Sequence, residues 1–229
     1  MDFFDAVRER RSVRRYTETP VPESVIDRAL DAALLAPNSS NMQTWGFYRV
    51  RSPEKKAKLV EACLSQGAAK TAQELIVVTA EPRLWKRNRK EMLRILEGSG
   101  ARPVLLKYYQ TLMPVIYGFQ LLAPLKWLLF NAVGLFRPIM RHPWSPAGRE
   151  LVAVKSAALA CENFMLAVSA QGFGTCPMEG FDESRVKRLL GLSFSDRVVM
   201  VISVGEPDRE RGIWGGQIRF DRGWFVHEV

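Results

Sequence analysis

Residues 150–180 read ELVAVKSAALACENFMLAVSAQGFGTCPMEG. From Glu150 to Gln171 the stretch is dense in alanine and larger apolar residues, with its few polar positions scattered around the helical wheel. A helix apolar on all sides has no face to give to water, so this stretch predicts a central, buried helix. Gly172 and Gly174 punctuate its end. The following run, Gly172 to Gly180, reads as a turn joining the helix to the next element. Its glycines and Pro177 fix the backbone, so that main-chain N–H groups can be aimed at a ligand. Cys176 is a candidate nucleophile there, but neither histidine, His142 or His227, stands in a recognisable pairing with it. Glu179 is a candidate general base, although an acid beside glycine in a turn is commonplace.

Working outward, Val198 to Val204 is a strong strand closed by Gly205, and Asp182 to Leu190 a short helix before it. Upstream, Leu75 to Thr79 reads as a buried strand, Pro53 to Leu64 as a helix, and Trp45 to Val50 as an aromatic-rich strand. Pro22 and Glu23 open a helix with apolar positions Val25, Ile26, Ala29, Leu30 and Ala33, which must stop near Ala36 because Pro37 follows. Residues 2–9 form a short amphipathic helix ending in a run of arginines. The tail from Ile213 to Val229 is too apolar for a free terminus and is expected to pack onto something.

The 229 residues are 47% apolar and 25% charged, ample for a core and unlike a disordered chain. Three cysteines and two histidines leave neither a disulfide framework nor a metal centre, and the charged start has no secretory pattern. A cytoplasmic chain is expected, at most peripheral at a membrane. The net charge of +9 invites an anionic partner. Between Gly98 and Arg149 there is no acid, while Arg102, Lys107, Lys126, Arg137, Arg141 and Arg149 supply six positive charges. No zinc-finger spacing or stacking-aromatic RNA motif accompanies them, so nucleic acid is the weaker reading.

Residues 81–149 stand outside the regular alternation. Tyr108 to Leu125 is uncharged over 18 residues, near the lower limit for a membrane span. Pro114, Gly118 and Pro124 interrupt it, and Gln110, Thr111 and Gln120 dilute it. A helical hairpin that covers a ligand site or lies on a membrane surface through residues 104–140 fits better. An oligomer interface is the plainer alternative.

Three further segments carry chemistry. Arg10, Arg11, Ser12 and Arg14 offer forked donors and a hydroxyl suited to phosphate, or else a solvated basic face. Asn38, Ser39, Ser40, Asn41 and Gln43 can read a heterocycle edge or hold a phosphate, or else form an ordinary turn. Arg209, Arg211, Arg219 and Arg222 could complete a phosphate site, or else are simply exposed.

Taken in order, RRSVRRY, APNSSNMQTW, the alanine-rich helix, GFGTCPMEGF and VISVGEP resemble the nitroreductase family of FMN-dependent oxidoreductases. The resemblance spans roughly residues 1–80 and 150–220 and leaves the middle insertion unmatched. It implies an α+β fold, a central, mostly antiparallel sheet flanked by helices, with an apolar helical insertion at 81–149 in one domain of 1–229. It further implies a homodimer with FMN at the interface and NADH or NADPH as donor. The acceptor would be a small hydrophobic molecule such as a nitroaromatic or quinone, reduced by a ping-pong route with no catalytic residue beyond the flavin.

By the same resemblance, Arg10, Arg11, Ser12 and Arg14 hold the flavin phosphate and the pyrimidine edge. Asn38, Ser39, Ser40, Asn41 and Gln43 reach FMN from the partner subunit, with Thr44 where proline is frequent. Pro177, Met178, Glu179 and Gly180 lie against the ring, Lys70 near its O2 and Arg219 on the phosphate. A flavin-binding module without turnover, and a basic protein that binds membrane or nucleic acid, are the alternatives.

Overall fold

A computed structural model describes residues 1–118, 122–140 and 142–229. Gln120 and Arg141 lie outside the described residues. Four strands, β1 (Trp45–Arg49), β2 (Glu74–Ala80), β3 (Gly174–Met178) and β4 (Arg197–Gly205), form one sheet in the order β1-β2-β4-β3, every pair antiparallel. The sheet is buried on both faces, which is why β2 reads as an unbroken apolar run. Ile76, Val78 and Ala80 point to one side and Leu75 and Val77 to the other.

The first side packs on α2 (Glu23–Leu34) and the long α9 (Pro146–Ala170), whose Ala157, Ala160, Cys161 and Phe164 are fully buried. The second side packs on α3 (Pro53–Ala62), α4 (Gly67–Thr71) and α10 (Glu183–Leu190). Helix α1 (Phe3–Glu9) rests on α9, which is thus the central helix expected from the sequence. It starts four residues earlier than read, because Ser145 accepts from the Gly148 N–H at 3.0 Å and Pro146 fills the first helical position. Among the described residues α9 is also the helix long and apolar enough to cross a membrane, and it is spent on the core.

The turn expected at 172–180 is instead largely a strand. Pro177 lies inside β3, which is tolerated because β3 is the sheet edge and needs ladder bonds on one side only. Its outer side is capped by a parallel bridge from Ser12 to Thr175, with the Val13 N–H donating to the Thr175 carbonyl at 2.9 Å. The helix after Pro53 ends at Ala62, two residues early, since Leu64 and Ser65 adopt left-handed backbone.

Within the insertion, α5 (Trp85–Gly98), α6 (Pro103–Lys107), a wide π-type turn at Tyr108–Leu112, α7 (Met113–Tyr117) and α8 (Ala123–Gly134) follow one another. The uncharged stretch is therefore broken into short helices. A third core of Met42, Trp85, Tyr109, Met113, Ile116 and Tyr117 ties the insertion to the loop before β1.

Candidate functional site

The chain leaves α1 as an extended segment along the edge of β3, and the tail folds back over it. The Arg14 N–H donates to the Gly212 carbonyl at 2.7 Å, and Arg11 Nη2 to the Gly215 carbonyl at 2.8 Å. Arg14 places its guanidinium 4.7 Å from the centre of the Trp214 ring. Gly212 must be glycine, because a Cβ there would come within 2.3 Å of the Arg15 carbonyl oxygen. These contacts shape a cleft of about 280 Å³ lined by Arg10, Arg11, Ser12, Arg14, Trp214 and Arg219, among others. Sequence reading had placed Arg10, Arg11, Ser12, Arg14 and Arg219 together, and the fold brings them together. Trp214 was missed, and the tail expected to pack is instead exposed from Trp214 to Val229 in the single chain.

Four guanidinium groups and no carboxylate line this cleft. Glu162 stands 3.9 Å from Arg10, at the margin of an ion pair, and about half exposed. Cations gathered without a matching anion repel one another, so the donor set fits a phosphate-sized dianion. Beside it, a second cleft of about 410 Å³ shares Arg10 and Arg11 and is lined by Gly174 and Thr175. The Thr175 hydroxyl is buried and has no hydrogen-bond partner among the described residues. An orphaned hydroxyl at that depth is costly unless a ligand completes it.

Beyond β3, Glu179 and Gly180 leave the ladder and are exposed, while Pro177 is partly and Met178 fully buried. Gln66 Nε2 donates to the Gly180 carbonyl at 2.6 Å and to the Cys63 carbonyl at 3.1 Å, clamping this turn to the α3–α4 connection. Lys70 is exposed at the end of α4. That helix lies under the arginine segment: a Cβ on Gly67 would come 2.9 Å from the Arg14 carbonyl oxygen. Burial pushes the Cys176 thiol up, only partly offset by Arg14 and Arg10. A protonated thiol is a poor nucleophile, so Cys176 packs.

The loop Asn38–Gln43 lies elsewhere in the same chain, over the insertion. Ser40, Asn41 and Gln43 adopt left-handed backbone, with φ of 54°, 47° and 46°, an arrangement that costs energy and marks a shaped loop. Asn38 Oδ1 accepts from the Gln43 N–H at 2.8 Å. Tyr108 OH meets Ser40 Oγ at 2.7 Å, and Tyr109 OH donates to the Ser40 carbonyl at 2.9 Å. Asn88 Nδ2 donates to the carbonyls of Met42 and Gln43 at 2.7 and 3.1 Å. Asn41 and Gln43 open onto their own cleft, with Trp45, Arg87 and Asn88, and line neither arginine cleft.

The chain belongs to the nitroreductase family, whose sequence model matches residues 7–206, a span that includes the insertion. It is 29% identical over 210 residues to an NADH dehydrogenase of Thermus thermophilus, covering 92% of this chain and 89% of that protein. It is 27% identical over 224 residues to the protein DrgA of a Synechocystis strain, covering 95% and 92%. Among solved structures, YdfN of Bacillus subtilis, described as a nitroreductase, superposes with a TM-score of 0.78 at 22% identity, over 99% of this chain and 98% of that one. A protein of Exiguobacterium sibiricum described as a nitroreductase in complex with FMN superposes with a TM-score of 0.75 at 22% identity, over 100% and 98%. The fold is the nitroreductase fold.

Proposed function

We propose that this chain is an FMN-dependent oxidoreductase that takes electrons from NADH or NADPH and delivers them to a small hydrophobic acceptor, a quinone or nitroaromatic. The observation that carries the reading is the acid-free cleft of Arg10, Arg11, Arg14 and Arg219 beside the orphaned Thr175 hydroxyl. The Thermus relative, named an NADH dehydrogenase, and the Exiguobacterium structure, which holds FMN, support it. When bound, FMN would supply two-electron transfer between the nicotinamide and the acceptor, in a ping-pong order.

The chain's own residues bind and orient. Arg10, Arg11, Arg14 and Arg219 neutralise the phosphate, and Ser12 adds a hydroxyl donor. Pro177, Met178, Glu179 and Gly180 form the platform for the ring, held by Gln66. Lys70 places a positive charge at the ring's pyrimidine end, where charge builds on reduction. The whole chain, 1–229, acts as one nitroreductase domain, and 81–149, packed on the Asn38–Gln43 loop, is inserted as a lid over the flavin which that loop serves.

Asn38, Ser39, Ser40, Asn41 and Gln43 serve the partner subunit's flavin in a homodimer. None of these residues lines either arginine cleft of its own chain, which favours this. So do the apolar side chains left in solvent on the core helix and tail: Leu151 and Leu159 are 45% and 49% exposed, and Trp214 71%. Anaerobic addition of NADH and NADPH to the FMN-loaded protein tests the proposal. Bleaching of the flavin bands, followed by reoxidation with a quinone, is expected; a flavin that neither nucleotide reduces would leave a binding module.

A further inference from the structure

Helix α8 is apolar all round and leaves most of its apolar surface in solvent. Lys126, Phe130 and Val133 fall on the side packed against the rest of the insertion. Lys126 Nζ donates to the carbonyls of Val115 and Gly118 at 2.8 and 2.6 Å, and the Phe130 ring centre lies 3.6 Å from that of Trp144. The opposite side carries Leu125, Leu128, Leu129 and Ala132, the i, i+3, i+4, i+7 stripe that in a soluble helix faces the core. Here the three leucines are 61%, 61% and 58% exposed. Trp127, 66% exposed, stands about 100° round the helix from Leu128, and Phe136, 89% exposed, lies past the helix end.

Charge indicates what covers this face. From Gly98 to Arg149 the chain has six cations and no carboxylate, and Arg102, Lys107 and Arg137 are exposed. A surface of outward leucines beside exposed cations matches an apolar layer bordered by negative charge. The helix of 12 residues is about 18 Å long, too short to cross a hydrocarbon layer of about 30 Å.

We propose that α8 is a docking surface for an anionic lipid bilayer, lying in the headgroup–acyl boundary with its leucine stripe inward and Arg137, just past its end, against the headgroups. Where the reductase reading above also holds, such docking brings the site to quinones dissolved in lipid. The docking itself does not depend on turnover.

Vesicle flotation of the FMN-loaded full chain tests this without any assay of activity. Flotation with phosphatidylcholine–phosphatidylglycerol vesicles is expected, falling about tenfold with phosphatidylcholine alone or at high salt. The double variant Leu125→Glu/Leu128→Glu should lose flotation about tenfold, with its circular dichroism and melting temperature unchanged because both side chains are already in solvent. A wild-type chain that stays at the bottom of the gradient with anionic vesicles would overturn the proposal, as would a double variant that floats equally well. A wild-type chain that does not float, with a variant of lower sedimentation mass, would make the face an interface between copies and equally overturn it.

Discussion

Gln66 and Gly180 are 114 residues apart in sequence, and the amide of the first donates to the carbonyl of the second at 2.6 Å. That bond joins the α3–α4 connection to the exposed turn after β3, the turn proposed to carry the flavin ring. The clamp does not need a large core. It needs a side-chain amide of the right length placed just past the left-handed pair Leu64 and Ser65.

Replacing the clamp should separate placement from folding. Gln66→Leu keeps the bulk and removes both hydrogen bonds, to Gly180 and Cys63, which costs about 1–2 kcal/mol of stability. FMN affinity is expected to fall several-fold while the melting temperature of the apoprotein drops by only a few degrees. Fluorescence titration with FMN, beside a thermal melt, reads both.

The arginine cleft should recognise phosphate rather than the ring. Arg14→Gln removes a cation but keeps a polar donor, so FMN binding is expected to weaken by about tenfold or more. Binding of riboflavin, which lacks the phosphate, should change little. Equal loss for both flavins would place Arg14 on the ring instead.

Thr175→Val deletes a buried hydroxyl without a partner and preserves its shape. The apoprotein is expected to become more stable, by about 1 kcal/mol. FMN should then stabilise the variant less than it stabilises the wild type. Differential scanning of both proteins, with and without FMN, gives the comparison.

Stability should fall in alkali. Burial raises the Cys63 thiol to about 11 and the Cys161 thiol to about 12, and pushes the Tyr16 phenol well above its ordinary value. All three groups are neutral when protonated, so the unfolded chain loses these protons first. Their contribution is complete below about pH 8.5, where the unfolded thiols titrate, and declines as pH rises through the folded values. Melts between pH 8 and 11 should show a falling midpoint, and Cys161→Ala should flatten part of the slope.

Several elements were legible because a single local rule decides them. Pro22 and Pro37 bracket α2, and the apolar runs of β2 and β4 needed no tertiary information. Strand β3 was not legible, since Pro177 signals a break and only its place at the sheet edge makes it acceptable. The arginine cleft was anticipated at Arg10 to Arg14 and at Arg219, but Trp214 over Arg14 comes from a chain reversal that no spacing reveals. The loop Asn38–Gln43 was recognisable by composition. Its bracing by Tyr108 and Tyr109 was not, because the partners sit 68 and 69 residues away in an insertion with no repeat or cap to fix its course.

The dimer assignment predicts a shared loss. Leu159→Glu puts a charge on the exposed edge of α9, where Leu159 is 49% exposed, and should leave the monomer fold intact. Sedimentation is expected to show a shift to monomer, and FMN binding should fall with it. A monomeric variant that binds FMN as tightly as the wild type would return the Asn38–Gln43 loop to its own chain.

The central claim is that a flavin phosphate sits among Arg10, Arg11, Ser12, Arg14 and Arg219 and that the bound flavin turns over. The most direct measurement is the visible absorption spectrum of the purified protein loaded with FMN, recorded anaerobically before and after NADH or NADPH. Bound flavin bands that bleach with at least one nucleotide and return with a quinone are expected. A colourless protein that takes up no FMN would contradict it.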